Sequence, residues 1–155
     1  MVTGSCGVCG RGKLHDHKMV ESEETVSHHR LHEYHRIARN QQRLFHQTGG
    51  THGATAFDVN GVMISSMEDV GRHNAMDKVT GQLVIYGKTP SVCVLSGRIS
   101  YELVQKALRT GFKIVSGVGS ATSLAIQVAM ENDLTLISFS RGDRMTVLSA
   151  PRRVV

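Results

Sequence analysis

Residues 91–120 read SVCVLSGRISYELVQKALRTGFKIVSGVGS, and this stretch decides the fold. Ser91 to Ser96 is an apolar run of strand length, rich in β-branched residues. Tyr101 to Arg109 then has helical spacing, with Ser100 placed to cap it and Gly111 placed to end it. Lys113 to Ser116 is apolar again. Strand, helix, strand in so short a space is the unit that joins parallel neighbours in a sheet.

Working outward from it, Ser120 caps a helix over Ala121 to Glu131, Leu134 to Phe139 is a strand, and Met145 to Leu148 is a last edge strand. On the other side lies a helix from Arg72 to Tyr86. Ahead of that, Ala54 to Val59 and Val62 to Ser66 flank Asn60-Gly61, a strong hairpin signal. Leu31, Tyr34, Ala38 and Phe45, with Ile37 and Leu44 beside them, predict one long amphipathic helix from Val26 to His46. Glu21, Glu23 and Glu24 precede it and Arg36, Arg39 and Arg43 lie in its later turns, as the helix dipole prefers. Thr48-Gly49-Gly50-Thr51 breaks it. The order predicts an α/β domain over residues 25–155: a mixed, mostly parallel sheet with helices on both faces and an antiparallel hairpin at one side. Residues 1–24, rich in Gly, Ser, His and charge, read as a flexible loop carrying the Cys-x-x-Cys pair.

The chain of 155 residues is long enough for one core without disulfides, and with 5% aromatics and no Trp that core must be aliphatic. Three cysteines, two of them paired closely, and no long apolar leader point to a reducing, cytoplasmic compartment. No apolar run approaches the ~20 residues that span a bilayer. A net charge of +5 favours anionic ligands, whereas basic and aromatic residues are not interleaved as nucleic-acid binding requires.

In open sheets of this kind ligands bind beyond the carboxyl ends of the strands. The junctions there read Glu68-Asp69-Val70-Gly71-Arg72-His73-Asn74, Ser96-Gly97-Arg98-Ile99-Ser100 and Ser116-Gly117-Val118-Gly119-Ser120-Ala121-Thr122-Ser123, with Arg141 and Arg144 after the strand ending near Phe139. Small residues let backbone N–H groups approach an anion, and arginine forks onto phosphate, so together they predict a pocket for a phosphorylated ligand. The bland alternative is tight turns and solvated arginines, with Asp69 and Asp77 pairing with Arg72 and Lys78. Neither a Walker loop nor a dinucleotide Gly-x-Gly-x-x-Gly is present.

Cys6 and Cys9 admit three readings. They are nucleophilic thiols activated by Arg11 and Lys13, or half of a zinc site completed by His15 and His17 or by His28 and His32, or unremarkable residues of a tail. Cys93, inside Val92-Cys93-Val94-Leu95, reads as a buried inert thiol. His28, His29, His32 and His35 read as a solvated helix face. His52 and His73, beside glycine-rich turns, are candidates for ligand contact, and no Ser/His/Asp triad stands out.

Ser5-Cys6-Gly7-Val8-Cys9-Gly10, Thr48-Gly49-Gly50-Thr51-His52, Glu68 to Ala75 with Asp77-Lys78, Ser96-Gly97-Arg98 with Glu102-Leu103-Val104, and Ala121-Thr122-Ser123-Leu124-Ala125 follow in an order that resembles the formate dehydrogenase accessory sulfurtransferase family, FdhD/NarQ. The resemblance implies a sulfur relay. A cysteine desulfurase passes sulfur to Cys6 or Cys9 as a persulfide, and the protein delivers it to the molybdenum or tungsten bis(guanine dinucleotide) cofactor destined for formate dehydrogenase. It further implies a cytidine-deaminase-like fold, a homodimer, no permanently bound metal, and a strand-rich N-terminal domain that is absent from this chain. The cofactor-binding residues expected on this basis are Gly50, His52, Asp69, Arg72, His73, Ser96, Gly97, Arg98, Ser120, Thr122, Ser123 and Arg141. The sequence departs from the family in lacking the Pro often found before Thr122-Ser123, and it lacks the His-x-Glu and Pro-Cys-x-x-Cys of zinc deaminases. The rival reading is a non-catalytic chaperone for the cofactor with a Cys/His zinc site.

Overall fold

A computed structural model describes residues 19–155. Cys6 and Cys9 lie outside the described residues, as do Arg11, Lys13, His15 and His17. The elements are α1 (His28–Gln41), α2 (Arg43–Thr48), β1 (His52–Phe57), β2 (Met63–Asp69), α3 (Arg72–Ile85), β3 (Val92–Leu95), α4 (Tyr101–Thr110), β4 (Ile114–Gly117), α5 (Ser123–Glu131), β5 (Thr135–Arg141) and β6 (Arg144–Ser149), closed by a 3₁₀ turn over Pro151–Arg153. One six-stranded sheet runs in the order β2-β1-β3-β4-β5-β6.

The β3–α4–β4 unit forms as read, with β4 parallel to both β3 and β5. The remaining pairings, β1 with β2, β1 with β3, and β5 with β6, are antiparallel. The sheet is therefore mixed and not mostly parallel, because the hairpin sends β1 back along β3 instead of crossing over. Asn60-Gly61 does close that hairpin. The Asp58 carboxylate accepts from the N–H groups of Asn60 and Val62, both at 2.9 Å, while Gly61 takes φ +81°.

Side chains alternate across the sheet and build two cores. Ala54, Ala56, Cys93, Leu95, Val115 and Leu136 face α3, α4 and α5. Phe57, Val92, Val94, Ile114 and Ile137 meet Leu31, Tyr34 and Ala38 of α1, where the Tyr34 and Phe57 rings stack at 4.3 Å. Helices thus cover both faces. Cys93 is fully buried, and burial pushes its thiol up, as an inert core cysteine requires.

Two helix expectations change. The long helix is two, broken at Gln42 (φ −78°, ψ 67°). The Glu68 carboxylate holds the second piece, accepting from Leu44 N–H at 2.9 Å, Phe45 N–H at 2.8 Å and the Thr51 hydroxyl at 2.8 Å. The cap of α5 is Thr122, whose hydroxyl accepts from Ala125 N–H at 3.2 Å, and not Ser120. Ser100 does stand at the N-cap of α4, but its hydroxyl serves His73 rather than the helix.

The stretch before α1 is tied to the domain. Val20 packs in the core beside Phe112 and Leu134, and its N–H donates to Asn132 O at 2.9 Å. Arg153, 1% exposed, donates to Val20 O at 3.1 Å, Ser22 O at 3.1 Å, Asp133 O at 2.7 Å and the Asp133 carboxylate at 2.8 Å. From Val20 onward, the stretch read as a free loop is held at the amino-terminal edge of β4 and β5.

Candidate functional site

The loops after β1's partner strands gather at the carboxyl edge of β3 and β4. Gly97 lets the His52 ring approach, since a Cβ there would stand 3.0 Å from His52 Nδ1. Burial lowers the His52 pKa, and the positive charges of Arg72 and Arg98 lower it further. Arg72 opens α3, and its Nε is buried without a hydrogen-bond partner among the described residues. A buried guanidinium nitrogen left unpaired is costly. The loop after β4 packs backbone to backbone on this cluster: Gly119 N–H donates to Gly97 O at 3.2 Å, Ile99 N–H to Ser120 O at 2.9 Å and Thr122 N–H to Ile99 O at 3.0 Å.

The structure therefore brings together His52, Arg72, Gly97 and Arg98, with Ser96 and Ser120 alongside. Arg141 reaches toward the same edge, donating through Nε to Val118 O at 3.1 Å. The other expected residues make contacts within the fold. Asp69 ion-pairs with Lys78 at 2.6 Å and accepts from Gly71 N–H at 2.9 Å, and these bonds hold its carboxyl at about 2. Asp77 pairs with Lys106. His73 turns toward α4, sharing a hydrogen bond with Ser100 Oγ at 2.9 Å and standing 3.4 Å from the Glu102 carboxylate. Gly50 is exposed in the turn before β1, Thr122 is a cap, and Ser123 is exposed on the first turn of α5.

On the opposite face of the same edge, under α1, lies a cavity of about 240 Å³. It is walled by Ala38, Val94, Leu95 and Val118, with His35, Arg39, Gln42, Gly53, Thr55, Ser96 and Ser140 supplying polar groups. Ser96 belongs to both places: it lines the cavity, and its hydroxyl accepts from Gly53 N–H at 2.9 Å, next to His52. His35 is not part of a solvated face. Its Nε2 shares a 2.7 Å hydrogen bond with Ser116 Oγ of β4, and burial, aided by nearby His32, holds its pKa down at about 4. The signal was present in the helix period, for His35 falls on the stripe of Leu31, Tyr34 and Ala38. Gln42, four residues after Ala38, continues the same stripe, whereas Ser116 and Ser140 carried no such signal.

His35 should stay neutral through the whole physiological range. The unfolded chain takes up this proton near 6.5 and the folded chain only near 4, so stability falls as pH drops across that window. Ring NMR titration should show the His35 midpoint near 4, and His35→Gln should flatten the loss of stability between those values.

His28 and His32 stand Nε2 to Nε2 at 3.2 Å on the exposed side of α1. Among the described residues no group of three or more His, Cys, Asp and Glu side chains is arranged to hold a metal ion. No helix of the described residues is long and apolar enough to cross a membrane.

Comparison with known proteins places these features in context. A family model described as the FdhD/NarQ family matches residues 1–155. The sulfur carrier protein FdhD of Sulfolobus acidocaldarius is 39% identical over 157 residues, covering 99% of this chain and 62% of the relative. That of Picrophilus torridus is 41% identical over 162 residues, covering 99% and 62%. The sulfur carrier protein FdhD of Mycobacterium tuberculosis is 39% identical, covering 98% and 58%. A crystal structure from Desulfotalea psychrophila, provisionally described as a formate dehydrogenase accessory protein, superposes with a TM-score of 0.83 at 30% identity, over 90% of this chain and 59% of that one. The chain thus spans about three fifths of the length of the proteins it matches. A match along the whole chain, agreement in sequence with named relatives and the same mixed α/β fold together establish that the chain belongs to the FdhD/NarQ family.

Proposed function

We propose that this chain is a sulfur carrier that loads sulfur on Cys6 or Cys9 and delivers it to a guanine-dinucleotide molybdenum or tungsten cofactor bound for formate dehydrogenase. The observation that carries this reading is the buried, unpartnered Arg72 Nε, set beside His52, Gly97 and Arg98 at the carboxyl edge of the sheet. Such a group calls for an anion, and a guanine dinucleotide presents pyrophosphate. The cofactor is here a substrate, and the residues present fit its phosphates.

Loading is a thiol exchange. The Cys6 or Cys9 thiolate attacks the outer sulfur of a persulfide on a cysteine desulfurase, the donor's S–S bond breaks, and the desulfurase cysteine leaves as a thiolate. Electrons and atoms balance without an added oxidant. A cytoplasmic location, a homodimer, partnership with a desulfurase and with formate dehydrogenase, and a cytidine-deaminase-related architecture belong to the same proposal.

After incubation with a desulfurase and cysteine, intact-mass measurement should find one added sulfur on the wild-type chain and none on Cys6→Ala/Cys9→Ala. The absence of added sulfur on the wild-type protein would sink the relay. The close approach of His28 and His32 favours the rival reading of a zinc-holding chaperone. Stoichiometric zinc that is lost on Cys9→Ser, with no persulfide formed, would put that reading in its place.

A further inference from the structure

The outer face of α1 opens with two imidazoles that neither the arginine cluster nor the cavity beneath the helix employs. His28 and His32 are four residues apart, so they lie on one side of the helix, one above the other. Their rings meet edge to face, with centroids 4.4 Å apart and planes at 79°, and their Nε2 atoms approach to 3.2 Å. Two bare lone pairs at that distance repel. Something positive must lie between them, either a proton shared as a hydrogen bond or a metal ion.

The separation suits a metal well. At a zinc–imidazole bond length of about 2.0–2.1 Å, a shared ion sets two nitrogens about 2.9 Å apart at a right angle and about 3.4 Å apart at the tetrahedral angle. The observed 3.2 Å falls between these limits. Burial, followed by the charge of His28, lowers the His32 pKa, and a neutral ring keeps the lone pair that a metal needs. Asp143, on the turn between β5 and β6, acts on His32 in the opposite sense, so its negative charge bears on this ring. That charge offsets the positive end of the helix dipole, which by itself disfavours a cation at the first turn. Arg30 is drawn aside, donating to Asn60 O at 2.9 Å.

The donor set also selects the ion. Imidazole nitrogens suit zinc, nickel and copper, whereas magnesium and calcium take oxygen ligands. The His-x-x-x-His spacing is that of helical zinc sites in metalloproteases, but His29 follows His28 where those enzymes place the glutamate that acts as base. The pair can hold a metal without a base beside it.

We infer that His28 and His32 form a two-pronged site for a divalent transition-metal ion, with zinc as the type case and Asp143 as its counter-charge. Water or a further ligand fills the remaining positions, so the ion is exchangeable. The site needs neither Cys6 nor Cys9, which separates it from the zinc-holding chaperone, and it is independent of whether the chain carries sulfur.

Calorimetric titration with zinc tests it, using the full chain with Cys6→Ser and Cys9→Ser so that the thiols do not compete. One zinc ion should bind per chain, and magnesium should not bind. Adding His32→Gln should weaken zinc by about a hundredfold, the scale on which a second prong improves on one. Asp143→Asn should cost about tenfold, as for other groups that support a metal from outside its ligands. His29→Gln should change nothing. The ring nitrogen resonances of His28 and His32 should move together as zinc is added. A thiol-free chain that binds no zinc, or that binds it undiminished with His32→Gln, overturns the inference. Zinc held by wild type but lost from the thiol-free chain gives the metal to the cysteines and likewise overturns it. Persulfide formation on wild type is a separate measurement, so the sulfur relay stands or falls without reference to this site.

Discussion

Arg153→Met should lower the unfolding free energy by about 3–5 kcal/mol, the scale for breaking a buried ion pair by removing one partner. The guanidinium is almost wholly enclosed and satisfies the Val20, Ser22 and Asp133 carbonyls as well as the Asp133 carboxylate and, at 3.2 Å, the Thr135 hydroxyl. Methionine fills much of the volume but leaves these acceptors buried and unmet. Arg152 provides the contrast. It pairs with the same carboxylate from an exposed position, so Arg152→Met should cost less than about 1 kcal/mol. The arginines, Arg152 first and then Arg153, hold the Asp133 carboxyl down at about 2 against an ordinary 3.8. The stability this carboxylate contributes is therefore complete above pH 3.8 and is lost as pH falls through about 2. Urea unfolding at neutral pH and across the acid range measures both effects. Equal midpoints for Arg153→Met and wild type would show that the clamp contributes nothing.

The second large effect is expected from Gly119→Ala. A Cβ at this position would stand 2.8 Å from Arg98 N, 2.9 Å from Gly97 C and 3.0 Å from Arg98 Cα. Those are backbone atoms and cannot rotate aside. The segment is pinned on both sides, by Gly119 N–H donating to Gly97 O and by Phe139 N–H donating to Gly119 O at 3.1 Å. The loops after β3 and β4 must separate, at a cost of about 1–3 kcal/mol, typical of overpacking. Because one of them carries Gly97 and Arg98, pyrophosphate binding should weaken by about tenfold, equivalent to 1.4 kcal/mol. Thermal unfolding with and without pyrophosphate separates the two losses. A variant that melts like wild type and binds pyrophosphate equally well would contradict the close packing of these loops.

The legible parts of the fold were those specified by local punctuation. β3, α4 and β4 are bounded by Ser100 and Gly111, and Asn60-Gly61 announces its hairpin regardless of what surrounds it. The direction of β1 against β3 was not legible, since Ala54 to Phe57 and Val92 to Leu95 meet through a pairing that nothing in either segment encodes. The helix break was hidden for a related reason. The apolar period runs through Gln42 without interruption, and what ends α1 there is Glu68, a carboxylate from a distant strand that satisfies the N–H groups of Leu44 and Phe45.

The candidate site divides along the same line. Arginines and glycines after strands advertise themselves, and His52, Arg72, Gly97 and Arg98 do come together. The cavity residues do not, because Gln42 and Ser140 are ordinary polar residues whose meaning depends on burial and on missing partners. Asp69 shows the converse: it sits in the most distinctive run of the chain, yet here it ties Lys78 to the start of α3. A distinctive run thus mixes residues of the candidate site with residues that hold the others in place.

The clamp at Arg153 also sets a leash. It grips Val20 and Ser22 at the amino-terminal edge of β4 and β5, whereas His52, Arg72 and Arg98 gather at the carboxyl edge. The seven residues of β5 span about 23 Å at the usual strand rise. The eleven residue steps from Cys9 to Val20 allow a reach of at most about 38 Å. Covalent length alone therefore keeps the thiol pair within range of either edge of the sheet. Shortening the tether by half would bring the distant edge out of reach while leaving the near one accessible, so in the proposed relay the spacing between Cys9 and Val20 is a ruler for the distance a thiol-borne group can cover.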